Sequence, residues 1–312
     1  MQERVLLIGA TGRLGQHFVK ALQSEGHSIL ALIRKDPATD DPHRRELLAR
    51  YARSRVKVLD GGLEDVAALE RGMHEVDAVI SCIDHRPDHL LLQSNIAEVA
   101  ARFAHISRVI PSQFGIDSRL YGETRVEHGD FKRKMQSVFQ DAGVPFSFVH
   151  TNGLANEWVG SLGQLGLPRP PTEQVEVYGT GDIRFSVVAL EDVARYAVRA
   201  LFDERTRNKH VAIIPPDNIV TQTQLIRMWE RKTGRTLRRA PVSSAALDER
   251  IEGFGRDPSK RPLLAMAQLV RAAWIDGLGD GRRLPDVLEL TELYPDIGYR
   301  SVSEYLERYV DE

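Results

Sequence analysis

The chain has 312 residues and a formal net charge of −2, with 42% hydrophobic and 28% charged residues. These values are typical of a soluble globular protein and exclude a basic surface for nucleic acid or a polybasic membrane anchor. The single cysteine, Cys82, excludes an intramolecular disulfide, and neither cysteines nor histidines are spaced as a metal-binding array. We expect a cytoplasmic protein without a bound metal, because no apolar stretch has the length of a membrane span or the form of a signal peptide.

Short apolar runs alternate with helix-length segments through the first half of the chain. Strands are predicted at 5–8, 28–33, 56–59, 78–83 and 108–110, and helices at 13–25, 44–52, 66–73 and 90–103. This alternation predicts an α/β protein with a doubly wound parallel sheet.

After about residue 155 the alternation weakens. Strands are predicted at 175–178 and 185–188 and a helix at 191–202, and the remainder reads as largely helical. We therefore predict a first domain over 1–154 and a smaller, mostly helical region over 155–312. This prediction allows segments after residue 154 to return to the sheet of the first domain.

A glycine-rich motif, GATGRLG, follows the first strand directly and opens the first helix. Gly9 permits a tight turn, Gly12 lets the backbone approach a pyrophosphate, and Gly15 allows close helix–strand packing. The free N–H groups and the dipole at the helix N-terminus favour an anion. The motif predicts a Rossmann-type dinucleotide site, formed by Gly9, Ala10, Thr11, Gly12, Arg13, Leu14 and Gly15.

The end of the second strand indicates which dinucleotide binds. NAD sites place Asp or Glu there to bind the ribose 2′-hydroxyl, whereas this chain has Arg34. A guanidinium can hold a 2′-phosphate bidentately. The prediction is NADPH.

Several motifs further along resemble the isoflavone-reductase-like family of atypical short-chain dehydrogenases, which are NmrA-like. PSQFGID at 111–117 is similar to the family's P-S-E-F-G-x-D, and DERTRNK at 203–209 to its D-P-R-T-L-N-K. PPDN at 215–218 and LIRMWERKTGRTL at 225–237 continue the match, as does ELYPD at 292–296. The motifs occur in the family's order over nearly the whole chain.

Two weaker segments, GSLGQ at 160–164 and PPTEQV at 170–175, look closest to pinoresinol–lariciresinol reductases within this family. The resemblance implies an NADPH-dependent reductase of benzylic ethers in lignan-type phenolics, with pinoresinol as the best single guess. It also implies that a base removes the phenolic proton, so that a quinone methide forms and accepts hydride. A homodimer is expected from the family alone. The alternatives are a sister phenylcoumaran or isoflavone reductase, or an NADP-sensing regulator that catalyses nothing.

The family's catalytic lysine lies eleven residues before the glycine of G-I-P-x-T-Y-V, which corresponds here to Gly143 and therefore to Lys132. Lys134 is the rival, because Phe131 and Lys134 imitate the family's F-x-x-K. Gapless spacing keeps Met135 and the apolar residues after it on one helical face, which favours Lys132.

Other site residues are carried over from the resemblance. Arg44 matches a family lysine that contacts the 2′-phosphate, and Leu154 and Trp158 replace family residues in the stretch that lines the pocket. The cofactor site is expected to include Arg34, Arg44, Ser81 and Phe114, and the substrate pocket His150, Asn152, Leu154 and Trp158.

Overall fold

The computed structural model describes residues 2–34, 41–122, 124–280 and 284–310. The strands are β1 Arg4–Ile8, β2 Ser28–Ile33, β3 Lys57–Asp60, β4 Ala78–Ser81, β5 Arg108–Ile110, β6 Ser147–His150, β7 Gly153–Leu154, β8 Gln174–Tyr178, β9 Arg184–Val188, β10 Lys209–Ala212, β11 Ile219–Thr221, β12 Arg238–Val242 and β13 Val287–Glu289. The α-helices are α1 Arg13–Ser24, α2 Pro42–Arg53, α3 Val66–His74, α4 Pro87–Leu91, α5 Gln93–Ala100, α6 Glu127–Asp141, α7 Ala155–Trp158, α8 Leu190–Leu201, α9 Gln222–Thr233, α10 Ser244–Gly255, α11 Arg261–Val270, α12 Leu290–Leu293 and α13 Val302–Leu306.

The chain forms two compact units of similar size, each assembled from separate segments. Unit 1 comprises Met1–Phe114, Phe131–Val149 and Val193–Val211. Unit 2 comprises Gly115–Asp130, His150–Asp192 and Ala212–Glu312. The units thus divide the chain differently from a single cut after residue 154, because residues 115–130 belong to unit 2 and most of α8 and β10 belongs to unit 1.

Unit 1 is built on a parallel sheet with the strand order β3-β2-β1-β4-β5. A parallel bridge between Val109 and Phe146 brings the start of β6 beside β5. This is the strand order of doubly wound nucleotide-binding sheets, in which ligands bind at the carboxyl ends of the strands where the order reverses. The strands β1, β2 and β4 are almost entirely buried, as expected when helices cover both faces of a parallel sheet. The predicted fold class is confirmed.

Two elements of unit 1 differ from the predictions. The helix predicted at 90–103 is two helices, because α4 starts at Pro87, where proline occupies the first turn, and the chain breaks at Leu92 before α5. The strand predicted at 78–83 ends at Ser81, so Cys82 lies just beyond β4 and is partly buried rather than a strand residue.

Unit 2 carries more strand than predicted. β7, β9 and β11 form one sheet, in the order β11-β9-β7, and β8 pairs in parallel with β12. The run RRAPV of β12 has little hydrophobic alternation and contains a proline, so the sequence pattern does not indicate a strand there. No helix in the described part of the chain combines the length and apolarity needed to cross a membrane.

Candidate functional site

The glycine loop between β1 and α1 is shaped by contacts that exclude larger side chains. Gly9 has a φ of +86°, a conformation that favours glycine. A Cβ on Gly15 would lie 2.0 Å from the carbonyl oxygen of Gly9. The Gly12 N–H donates to that same carbonyl at 2.9 Å. Gly9 and Gly15 therefore occupy the tight-turn and close-packing positions that the motif predicts.

The N-terminus of α1 is open to an anion. Gly12 is the N-cap and supplies no side-chain hydrogen bond to the first helical turn. Backbone N–H groups at such a terminus are orphaned and attract negative charge. The loop is held from behind by Tyr51, whose buried hydroxyl donates to the Ala10 carbonyl oxygen at 2.6 Å. Tyr51 was not predicted from the sequence. Its one signal is its position four residues after Leu47 on the buried face of α2.

A cleft of about 410 Å³ lies beside this loop within unit 1. Its walls include Gly9, Thr11, Arg34 and Arg44 among the predicted cofactor residues, together with Gly61, Gly62, Leu63, Glu64, Ile83 and His89. The cleft lies at the carboxyl ends of β1, β2 and β3. Because glycines line it on two sides, the backbone itself is available to an elongated, phosphorylated ligand.

Arg34 and Arg44 form a cationic end of the cleft. The Arg44 guanidinium donates to the Arg34 carbonyl oxygen, which fixes α2 to the end of β2. The Arg34 side chain is 60% exposed and lies 3.9 Å from Glu64, so it is only weakly held. Two exposed or half-buried guanidinium groups at this position fit a 2′-phosphate, and the predicted dinucleotide fits the chemistry of the cleft.

Two other predicted cofactor residues are buried. Ser81 is completely buried, and its hydroxyl has no hydrogen-bond partner among the described residues. Phe114 is 4% exposed, and its ring lies 5.7 Å from that of Phe18. Neither residue is on the walls of the cleft.

The helix α6 buries one of its two candidate lysines. Lys132 is 1% exposed, and its Nζ donates to the Phe114 carbonyl oxygen at 2.6 Å. Lys134 is exposed, as expected for a lysine on the outer face of the helix. Met135 and Phe139 are buried, so the helix has the register in which Lys132 belongs to the inner face.

Gln113 and Gln136 hold this part of α6 in place. The Gln136 amide donates to Gln113 Oε1 at 3.1 Å, and the Gln113 amide donates to the Lys132 carbonyl oxygen at 3.2 Å. Both amide side chains are buried, so this pair of hydrogen bonds links the PSQFGID segment to α6. Gln113 lies in the PSQFGID motif, but its contact with α6 was not predicted from the sequence.

His150, at the end of β6, is part of a buried polar group in unit 2. Its Nε2 lies 3.4 Å from Asp117 Oδ2, and both side chains are at most 3% exposed. Burial would raise the pKa of the Asp117 carboxyl, but His150 and Arg119 outweigh it, so that the pKa is lowered. Arg119 donates to Asp117 at 2.7 Å. The sequence identified His150 but not its carboxylate partner.

The remaining pocket residues of unit 2 differ in their surroundings. Trp158 is 2% exposed and packs in the hydrophobic core, with its ring 4.4 Å from Phe185 and 5.7 Å from Trp274. Leu154 is partly buried in β7. Asn152 is buried between β6 and β7 with a φ of +50°. The role of these residues in a substrate pocket stays a prediction.

Known proteins similar to this chain belong to the family that the sequence motifs indicate. The NmrA-like family model matches residues 1–306. Bifunctional pinoresinol-lariciresinol reductase 2 of Thuja plicata is 31% identical, with 98% of each chain covered, and phenylcoumaran benzylic ether reductase PT1 of Pinus taeda is 30% identical, with 99% of each covered. The solved structure "AtPrR2 with NADP+ and (+)pinoresinol" matches with a TM-score of 0.91 at 29% identity, again over 99% of each chain. The resemblance inferred from the sequence is confirmed, and the chain belongs to the NmrA-like family.

Proposed function

We propose that this chain is an NADPH-dependent reductase that opens a benzylic ether in a lignan-type phenolic, with pinoresinol as the leading substrate. The observation that carries the proposal is Lys132, a buried lysine whose Nζ donates to the Phe114 carbonyl oxygen. Burying an ammonium group costs free energy, and buried titratable groups are candidates for proton transfer. Relatives similar over their whole length are named as reductases of pinoresinol and of phenylcoumarans.

The cofactor would be held by the cleft of unit 1. The pyrophosphate would lie against Gly9–Gly15 at the N-terminus of α1, and Arg34 and Arg44 would bind the 2′-phosphate. NADPH supplies the hydride that the reduction requires. The contribution of the chain is to fix the cofactor and to manage the proton on the substrate.

Lys132 would act as the general base. Its Nζ, in the neutral form, accepts the phenolic proton, and the resulting oxyanion moves an electron pair through the ring as the benzylic C–O bond breaks. The substrate is then a quinone methide, whose benzylic carbon would accept the hydride so that the ring becomes aromatic again. The released ether oxygen takes up a proton and stays in the same molecule as a hydroxyl group, because the ether is part of a ring. The Phe114 carbonyl orients Nζ through its hydrogen bond.

A sister activity is the second candidate. The relative named as a phenylcoumaran benzylic ether reductase is about as similar as the one named as a pinoresinol-lariciresinol reductase, at 30% against 31% identity. Both reactions need the same phenolic base. We expect the same Lys132 chemistry with either substrate.

The two candidates are separated by a substrate panel. The purified protein is assayed for NADPH oxidation with pinoresinol, a phenylcoumaran and an isoflavone, and kcat/KM is compared. The proposal expects the highest value with pinoresinol. A higher value with the phenylcoumaran or the isoflavone would transfer the assignment to that sister reaction.

Cofactor preference gives a prediction about Arg34 and Arg44. Replacing either with alanine should raise the Kd for NADPH by roughly 10- to 100-fold, since a hydrogen bond to a charged group contributes about 1.5–3 kcal/mol. The Kd for NADH should not change, because NADH has no 2′-phosphate. Arg53→Ala, at the other end of α2, is the control and should leave both affinities unaltered. Equal losses for NADPH and NADH would show that the arginines do not read the 2′-phosphate.

A further inference from the structure

Asn152 combines two unfavourable features in unit 2. Its φ is +50°, in the left-handed region that favours glycine, and its side chain is 4% exposed. Neither Oδ1 nor Nδ2 has a hydrogen-bond partner among residues 2–34, 41–122, 124–280 and 284–310. A buried amide without partners and a left-handed backbone both disfavour folding, and such features concentrate where a ligand is bound.

The turn that holds Asn152 does not depend on the amide. The backbone N–H groups of Thr151 and Asn152 both donate to the Gly115 carbonyl oxygen at 3.0 Å. On its other side the chain enters β7, which pairs with β9. Because backbone contacts fix the turn, the side chain is free for another purpose.

A third polar atom without a partner lies at the same turn. The Thr151 hydroxyl is completely buried and has no partner in the part of the chain that the structure describes. Thr151 directly precedes Asn152, so three buried polar atoms with unused hydrogen-bonding capacity are grouped at this turn.

Aromatic rings border the group. A Cβ on Gly153 would lie 2.4 Å from Phe185 and 2.9 Å from Trp158, so both rings reach the backbone next to Asn152. Hydrogen-bonding atoms beside aromatic rings are suited to an oxygen-substituted aromatic ligand.

We infer that Asn152 is a specificity-determining residue whose amide hydrogen-bonds a methoxyl oxygen on the aromatic ring of the bound phenolic. The choice of ligand class rests on the proposed function. Nδ2 donates to the methoxyl oxygen, and the Thr151 hydroxyl supplies a neighbouring polar contact. An analogue without that oxygen would leave the amide buried and unpaired, so the residue discriminates against it.

The protein variant that tests this inference is Asn152→Gly, because glycine adopts the left-handed backbone readily and lacks the amide. The matched control is Asn208→Gly. Asn208 has a φ of +54° and an exposed side chain, and its Oδ1 accepts a hydrogen bond from the Phe146 N–H at 3.1 Å. Asn152→Asp keeps the size of the side chain and removes the donor.

Binding of pinoresinol to the protein loaded with NADP⁺ is measured by isothermal titration calorimetry, and the melting temperature of each variant is recorded. We expect Asn152→Gly to melt no lower than the wild type, while its Kd for pinoresinol rises at least about 10-fold. Asn152→Asp should also bind weakly. Asn208→Gly should bind normally and melt lower, because it loses its hydrogen bond. A lower melting temperature for Asn152→Gly with unchanged binding would overturn the inference and assign the amide a structural role.

The same titration is repeated with the pinoresinol analogue in which hydrogen replaces both methoxyl groups. The wild type should lose affinity at least about 10-fold, and Asn152→Gly should lose almost none, because the contact is already absent. Equal losses in both proteins would overturn the inference, as would a wild type that binds neither ligand. A wild type that binds pinoresinol without oxidising NADPH would contradict only the proposed reaction.

Discussion

Replacing Lys132 with alanine is expected to lower kcat for reduction of a phenolic ether by about 10²- to 10⁴-fold, the range associated with loss of a general base. Without the amine, the phenolic proton has no acceptor at this position, and the benzylic C–O bond keeps its electron pair. Lys132 is buried, its Nζ donates to the Phe114 carbonyl oxygen, and it is not one of the residues that line the cofactor cleft. NADPH affinity should therefore be retained, which fluorescence titration can measure.

The matched control is Lys134→Ala, two residues along the same helix and exposed. It should leave kcat unchanged. Lys132→Met keeps the volume of the side chain and so avoids a cavity, but it removes the amine. This variant should be as inactive as Lys132→Ala and melt close to the wild type. Turnover in the Lys132 variants with bound NADPH, or loss of turnover in Lys134→Ala, would contradict the assignment of the base.

Arg108→Ala is expected to destabilise the protein by about 2–5 kcal/mol, the range for truncating a large buried side chain. Arg108 is 1% exposed in β5, and its guanidinium donates to Ser147 Oγ at 2.9 Å and to Thr206 Oγ1 at 3.0 Å. It also reaches the Asp203 carbonyl oxygen at 3.3 Å. The substitution would leave a cavity and two buried hydroxyls without their donor.

Urea unfolding measures this effect, with Arg205→Ala as the control. Arg205 binds the carboxylate of the same Asp203 at 2.7 Å, but its side chain is 60% exposed. An exposed pair contributes about 0–1 kcal/mol, so this variant should unfold close to the wild type. Similar unfolding midpoints for the two variants would show that the Arg108 network does not stabilise unit 1.

The sequence predicted the sheet and the glycine loop well because both depend on local constraints. Gly9 and Gly15 are required by a positive φ and by a near contact within the same loop. The strand at 28–33 was predicted at the bounds that the structure has, since a run of buried apolar residues has few alternatives. The choice of Lys132 over Lys134 followed from helical register, and the burial of Lys132 agrees with that register.

What the sequence did not reveal are contacts between residues far apart in the chain. The hydrogen bond from Tyr51 to Ala10 and the approach of Asp117 to His150 depend on packing, which no local pattern encodes. The same holds for Trp158. Its position in a pocket-forming stretch predicted a residue on the pocket wall, whereas its ring packs against Phe185 and Trp274. The left-handed backbone of Asn152 also depends on its tertiary contact with Gly115.

The proposed reaction can be followed by incubating the purified protein with NADPH and racemic pinoresinol and separating the products by chiral chromatography. We expect lariciresinol or secoisolariciresinol, formed in proportion to the NADPH consumed, and the remaining enantiomer would define the stereochemical preference. Tight NADPH binding with no reduced product from pinoresinol or any other phenolic ether in the panel would contradict the proposed reaction and favour an NADP-sensing regulator.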